Sequence, residues 1–171
     1  MSLFTDTLTG LPNRRALCEY IESRSASASW AVLVADVDGL AYANGALGHL
    51  EGDRILKVIA RHLKSTILPP TFVARIAGDE FVVFAPSEQV NEIADQLHCF
   101  IRPLFVTERR EAKLKAKPAV VVAPPDRGFL TFSIGIARPA RIGAPPEDWI
   151  QSAEHACVQA KMKGRDCTYA A

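Results

Sequence analysis

Thr71-Phe72-Val73-Ala74-Arg75-Ile76, then Ala77-Gly78-Asp79-Glu80, then Phe81-Val82-Val83-Phe84-Ala85 is the stretch that decides the fold. Two runs rich in β-branched and aromatic residues flank a Gly-Asp pair, the pattern of a hairpin with a tight turn. A hairpin imposes antiparallel pairing, which excludes an all-parallel sheet. Upstream, Trp30-Ala31-Val32-Leu33-Val34-Ala35 is a continuous apolar run closed by Asp36-Val37-Asp38-Gly39. Short, β-branched and unalternating, it predicts a central strand covered on both faces. Downstream, Phe129 to Ala137 is a fourth strand candidate, and Cys167-Thr168-Tyr169 a short last one.

Helical spacing fills the gaps. Leu11-Pro12-Asn13 opens a helix with Leu17, Tyr20 and Ile21 on one face and Pro12 in its first turn. Small and polar residues from Ser23 to Ser29 break the chain. After a loop of small residues beyond Gly39, Ile55, Leu56, Ile59 and Leu63 recur until Pro69-Pro70 stops the helix. Pro86-Ser87 starts another, carrying Val90, Ile93, Ala94, Leu97, Ile101 and Leu104. Residues 107–128 read as an extended, partly β, solvated excursion whose positive charges form an exposed face. A helix from about Pro146 carries Ile150, Ala153, Cys157 and Ala160 and ends near Gly164. Helices and strands alternate around a mixed sheet, so the class is α+β or α/β.

Composition narrows the function. The 171 residues suit one domain, since domains usually run about 100–200 residues. A hydrophobic fraction of 49% supports a real core and excludes wholesale disorder. Twenty Lys and Arg against 19 Asp and Glu leave +1, which argues against a duplex nucleic-acid partner. No apolar stretch nears the ~18 residues of a membrane span, and the N-terminus lacks a signal-peptide layout. The expectation is a cytoplasmic domain without membrane contact of its own, tethering through other segments left open. Without a sensing or targeting segment, 1–171 reads as one module cut from a longer protein. Cys18, Cys99, Cys157 and Cys167 form no C-x-x-C pair, and the four His no metal-ligand spacing, so both sets read as structural.

Chemistry concentrates in three places. Asp36 and Asp38 close the most apolar strand, where a carboxylate loses hydration and needs a partner or a cation. An ordinary strand-to-loop turn explains them equally well. Asp79-Glu80 sits in the hairpin turn. Together the two pairs suggest oxygen ligands for a hard cation such as Mg²⁺, which takes a few carboxylates and completes its shell with water and phosphates. Lys161 and Arg165 lie near a helix end, where they suit either the helix dipole or a phosphate.

These residues resemble the GGDEF domains of diguanylate cyclases, which condense two GTP into cyclic di-GMP. The resemblance spans about residues 6 to 169. Asp6-Thr7-Leu8-Thr9-Gly10-Leu11-Pro12-Asn13-Arg14-Arg15 looks like the family's D-x-L-T-G-L-x-N-R opening. Asp36-Val37-Asp38, Asn44, Gly48-His49 and Gly52-Asp53 match its D-x-D…N…G-H…G-D block. Arg75 to Phe81 resembles R-x-G-G-D-E-F, with Ala77 as first residue of an A-G-D-E-F signature. Ser133-Ile134-Gly135-Ile136-Ala137 and Ala160-Lys161-x-x-Gly164-Arg165-Asp166 resemble the closing motifs.

The resemblance implies a nucleotidyl-cyclase-like fold with a ferredoxin-like core: a central, mainly antiparallel sheet of about five strands wrapped by helices. It implies Mg²⁺ (or Mn²⁺) on Asp36, Asp79, the Val37 carbonyl and Glu80, with Glu80 also helping activate the 3′-hydroxyl. It implies that Asn44 and Asp53 read guanine, that Gly78 gives substrate room at the backbone, and that Lys161 and Arg165 hold phosphates. For Asp53 the alternative is an acid in a helix's first turn. One domain would bind one GTP, so catalysis would need a homodimer of facing domains.

Some positions depart from the pattern. Ala77 adds a methyl at the signature turn and would be strained at positive φ. Leu40-Ala41 stand where the family has Phe-Lys, and Gly45 where an acid often follows the Asn. Leu68-Pro69-Pro70-Thr71 replaces an R-x-x-D product-inhibition motif, so that inhibitory site is expected to be absent. Two functions remain open: a working diguanylate cyclase, or a GTP-binding regulatory module without turnover, fused to or partnered with a cyclic-di-GMP phosphodiesterase (EAL) domain and sensor domains.

Overall fold

A computed structural model describes residues 3–24, 29–101, 130–138 and 143–171. The expected excursion at 107–128, Leu104 and Phe129 lie outside them. Strands β1 (Trp30–Asp38), β2 (Phe72–Ala77), β3 (Glu80–Pro86), β4 (Thr131–Ala137) and β5 (Cys167–Ala170) form one sheet in the order β2-β3-β1-β4-β5. Every pairing is antiparallel except β4 with β5. The α+β class and the mixed, mainly antiparallel five-stranded sheet match the reading of the sequence. Helices α1 (Arg14–Arg24), α2 (Leu40–Leu47), α3 (His49–Thr66) and α5 (Pro146–Met162) surround it, with α4 over 90–101.

Strand alternation in β1 divides the core. Ala31, Leu33, Ala35 and Val37 pack with Ile55 and Ile59 of α3 and Val90 and Ile93 of α4. Val32 and Val34 pack instead with Leu17 and Ile21 of α1 and with Trp149, Ile150 and Ala153 of α5. With both faces covered, β1 can be apolar at successive positions, which is why it does not alternate. Two-residue periodicity then sends Asp36 and Asp38 to the α1/α5 side. Helix α5 lies unusually close to the sheet. A Cβ on Gly135 of β4 would run into the Ala153 carbonyl and the Cys157 amide of α5. Glycine is required there by backbone-to-backbone approach.

Several local expectations are corrected. Helix α1 begins at Arg14, not at Leu11, because Pro12 is held in an isolated bridge to Thr5. Asn13 caps it, its Oδ1 accepting from the Ala16 amide at 3.2 Å. The expected loop of small residues after Gly39 is helix α2, whose alanines favour helix and whose Leu40 and Ala43 are buried. Strand β3 continues through Pro86, so α4 starts at residue 90 rather than Ser87. None of the helices described is long and apolar enough to cross a membrane.

Candidate functional site

The hairpin turn is built from both sides. Arg75, at the end of β2, donates from Nε and Nη2 to the Gly78 carbonyl and from Nη1 to Asp6 Oδ1 at 2.9 Å. Asp6 is itself fixed by the Thr9 amide and hydroxyl, and its own amide donates to the Leu11 carbonyl. The opening motif is therefore a knot that clamps the signature turn. On the far side, the Val37 amide donates to the Asp79 carbonyl at 3.2 Å, tying the turn to β1.

Ala77 and Gly78 do not take positive φ, and Ala77 pairs with Glu80 across a bulge. The strain expected of an alanine at the first signature position is absent. A Cβ on Gly78 would meet nothing within 4 Å, so the fold itself does not demand glycine there.

The acids converge as the register dictates. Asp36 stands opposite Glu80 across the β1–β3 ladder, with Asp79 in the adjoining turn. Lys161, in the last turn of α5, reaches over and places Nζ 2.6 Å from Asp36 Oδ2. Burial raises the Asp36 pKa; Lys161 opposes that, and the charges of Asp79 and Asp38 add to it. Glu80 is raised as well, first by burial and then by the charges of Glu154, Asp36 and Asp79. For Lys161, burial works against the charge, but the hydrogen bond and charge of Asp36 outweigh it and raise its pKa. The cluster thus carries more negative charge than its lysine offsets, which is the condition a bound cation relieves.

Among the described residues, no three His, Cys, Asp or Glu side chains come close enough to form a cage of their own. That differs from the full expected set of Asp36, Asp79 and Glu80. It suits a hard cation held by one or two carboxylates and a backbone carbonyl, with the remaining positions left to water and phosphate. The donor chemistry fits Mg²⁺ or Mn²⁺ in that partial sense.

Asp38 behaves differently from Asp36. Its carboxylate is buried and accepts from the Thr131 hydroxyl at 2.8 Å and the Ser133 hydroxyl at 2.9 Å. Arg165 Nε lies 3.5 Å from its Oδ1. The two acids of the D-x-D pair therefore each face one of the two expected phosphate ligands, Lys161 and Arg165.

The expected guanine readers lie on α2 and α3. Gly48 (φ 90°) turns the chain between these helices, and a Cβ on Gly52 would collide with the Asn44 carboxamide. Asn44 is thus seated against α3 beside Asp53. Its Oδ1 is buried and accepts no hydrogen bond among the described residues. Asp53 is the fifth residue of α3, not in the first turn, so the helix dipole is not what explains it. Residues that the sequence reading left without a role are Glu154 of α5, whose charge acts on Glu80, and Arg14, which holds Glu154 and Glu147. Helical spacing from Ile150 could have flagged Glu154, but only the packing of α5 aims it at β3.

Comparison with known proteins places the chain in a family. The family model described as diguanylate cyclase, GGDEF domain, matches residues 3–167. Diguanylate cyclase DgcP of Pseudomonas aeruginosa is 35% identical over 95% of this chain, which covers 23% of DgcP. Cyclic di-GMP phosphodiesterase NbdA of the same organism is 31% identical over 94% of the chain and 20% of its own length. The chain spans about a quarter of the curated relatives that it matches first. The crystal structure of P. aeruginosa diguanylate cyclase SiaD, solved with its activator SiaC, superposes with a TM-score of 0.72 at 29% identity, covering 99% of this chain and 62% of SiaD. With the clamp, the acid cluster and the paired cations in the family's order, the chain belongs to the GGDEF domain family of diguanylate cyclases.

Proposed function

We propose that this chain binds GTP with Mg²⁺ and, as one of two facing copies, joins two GTP into cyclic di-GMP. The observation that carries the reading is the cross-strand Asp36–Glu80 pair beside Asp79, with Lys161 on Asp36. Asp36, Asp79 and the Val37 carbonyl would hold the cation, which lowers the pKa of the attacking 3′-hydroxyl and offsets phosphate charge. Glu80, with its pKa raised by burial and neighbouring acids, suits a group that accepts that proton. Lys161 would exchange its Asp36 contact for phosphate once a cation neutralises Asp36, and Arg165 would take a second phosphate oxygen. The new bond forms between the 3′-oxygen of one GTP and the α-phosphorus of the other, and pyrophosphate leaves. Positioning and charge neutralisation supply most of such catalysis.

Asn44 supports guanine as the base. A buried acceptor without a donor is costly, and the Watson–Crick edge of guanine offers N–H groups to Asn44 and Asp53. Adenine lacks the ring N–H and the 2-amino group, presenting an acceptor where guanine presents a donor, so ATP would not satisfy both groups together.

A second reading is a GTP-binding regulatory domain, one module of a longer protein with sensor or EAL domains. The exposed Ala41, where a phosphate-contacting lysine is expected, favours it, as does the likeness to a phosphodiesterase. The deciding experiment incubates the protein with GTP and MgCl₂ and assays cyclic di-GMP. Product that disappears in Asp79→Ala supports turnover; product unaffected by that change sinks the metal assignment. GTP binding without product, abolished by Asp53→Ala, selects the regulatory reading.

A further inference from the structure

Arg165 (φ 64°) and Asp166 (φ 51°) are the residues other than glycine, among those described, with positive φ. Aspartate tolerates that region better than most L-residues, but two consecutive positions there, one of them an arginine, are uncommon, so the surrounding structure must hold the turn. Part of the hold is local: the Gly164 amide donates to the Lys161 carbonyl at 3.3 Å and the Arg165 amide to the Ala160 carbonyl at 3.2 Å. His98 of α4 adds a contact, its Nδ1 lying 3.6 Å from Asp166 Oδ1, and a further part of the hold comes from Asp38 across the sheet. The Asp166 amide donates to Asp38 Oδ2 at 3.4 Å, and Arg165 Nε lies 3.5 Å from Asp38 Oδ1. Asp38 has little freedom to move, since Thr131 and Ser133 of β4 fix both its oxygens and it is only 7% exposed. Arg165, by contrast, keeps 61% of its side chain exposed.

We propose that Asp38 is a positioning residue: its carboxylate, anchored on β4, holds the strained Arg165–Asp166 turn so that the Arg165 guanidinium faces the phosphate position. This assigns the second acid of the D-x-D pair to the arginine and leaves the first to cation and lysine. It rests on the phosphate role given to Arg165 above, but the held turn can be read without any ligand.

The test compares the wild-type chain, Asp38→Asn, Arg165→Ala and the double variant. GTP and GMP binding are measured by calorimetry with MgCl₂, and amide exchange at 164–168 by NMR. Asp38→Asn weakens GTP binding by about tenfold, the worth of one charge-assisted contact, and leaves GMP binding unchanged. The double variant is no weaker than Arg165→Ala alone. The Asp166 amide exchanges faster in Asp38→Asn while the amides of β1 and β3 keep their protection. Losses that add in the double variant, or equal losses for GTP and GMP, overturn the proposal. So does unchanged exchange at 164–168. Should Asp38→Asn not fold, Asp38→Glu keeps the charge on a longer arm and must show the same faster exchange at Asp166. If wild type binds no GTP, the functional reading fails, and the exchange measurement alone still decides whether Asp38 holds the turn.

Discussion

Asp6 ties the opening motif to the signature hairpin, and its titration is therefore linked to folding. Burial pushes its pKa up, but hydrogen bonds from Thr9 and Arg75 outweigh that and set it below the ordinary carboxylate value. A carboxylate depressed in the folded state stabilises the fold above its unfolded pKa and loses that contribution as pH falls through the folded value. Asp6→Asn should lower the melting temperature at neutral pH and flatten its dependence on pH in the acid range. Melting curves between pH 2 and 6, estimated from the usual carboxylate range, check this; parallel acid limbs in both proteins would contradict it. The thiols offer a second residue-level test. Burial first, and then the Asp36 charge, push Cys157 up to about 12, whereas Cys99 is exposed. A maleimide should label Cys99 rapidly in the native chain and Cys157 only on unfolding, as mass spectrometry of digests would read. At Glu80, burial first and then three neighbouring acids raise the cost of charge, so Glu80→Gln should raise the melting temperature of the metal-free chain while reducing turnover. A lower melting temperature would argue against crowding of like charges.

Between elements, α5 packs backbone to backbone on β4 at Gly135, and this seating positions both Lys161 and Glu154. Gly135→Ala places a methyl against backbone atoms of α5, which cannot swing aside as a side chain can. Overpacking of this kind costs about 1–3 kcal/mol. The expected result is that loss in denaturant midpoint together with weaker nucleotide binding, because a displaced α5 carries Lys161 off Asp36. Unchanged binding in a destabilised variant would separate packing from the site. Helix α2 illustrates a different point. Its alanine-rich sequence lacks a wide apolar stripe, so only two buried residues, Leu40 and Ala43, mark it as an element. Short helices of small residues are stabilised by the neighbour they pack on, and that neighbour, α3, is invisible to a pattern search within eight residues.

For the whole molecule, one chain presents one set of Asp36, Asp79, Glu80, Asn44, Asp53 and Lys161, which under the proposed function would serve one GTP. If two facing copies make the product, specific activity must rise with protein concentration. Fusion to a dimeric coiled coil should raise it further at low concentration. Activity per chain that is independent of concentration across the dissociation range would refute the paired arrangement.

Much of this was legible in the residues themselves. A Gly-Asp turn between two β-rich runs dictated the hairpin, since turn chemistry and strand propensity are local. The unbroken apolar run of β1 implied cover on both faces. Ordered motifs named the acids, the amide and the cations, because the chemistry they suit depends on residue type more than on context. What only the tertiary structure decided were the pairings. Asp36 and Asp38 look alike in sequence, yet one faces Lys161 beside Glu80 and the other is sealed by Thr131 and Ser133. Those partners come from β3, β4 and the end of α5, elements tens of residues away along the chain. Their meeting is set by ladder register and by the close seating of α5 on Gly135. Spacing along a sequence encodes period and turn; it does not encode which distant carbonyl, hydroxyl or ammonium a carboxylate will meet.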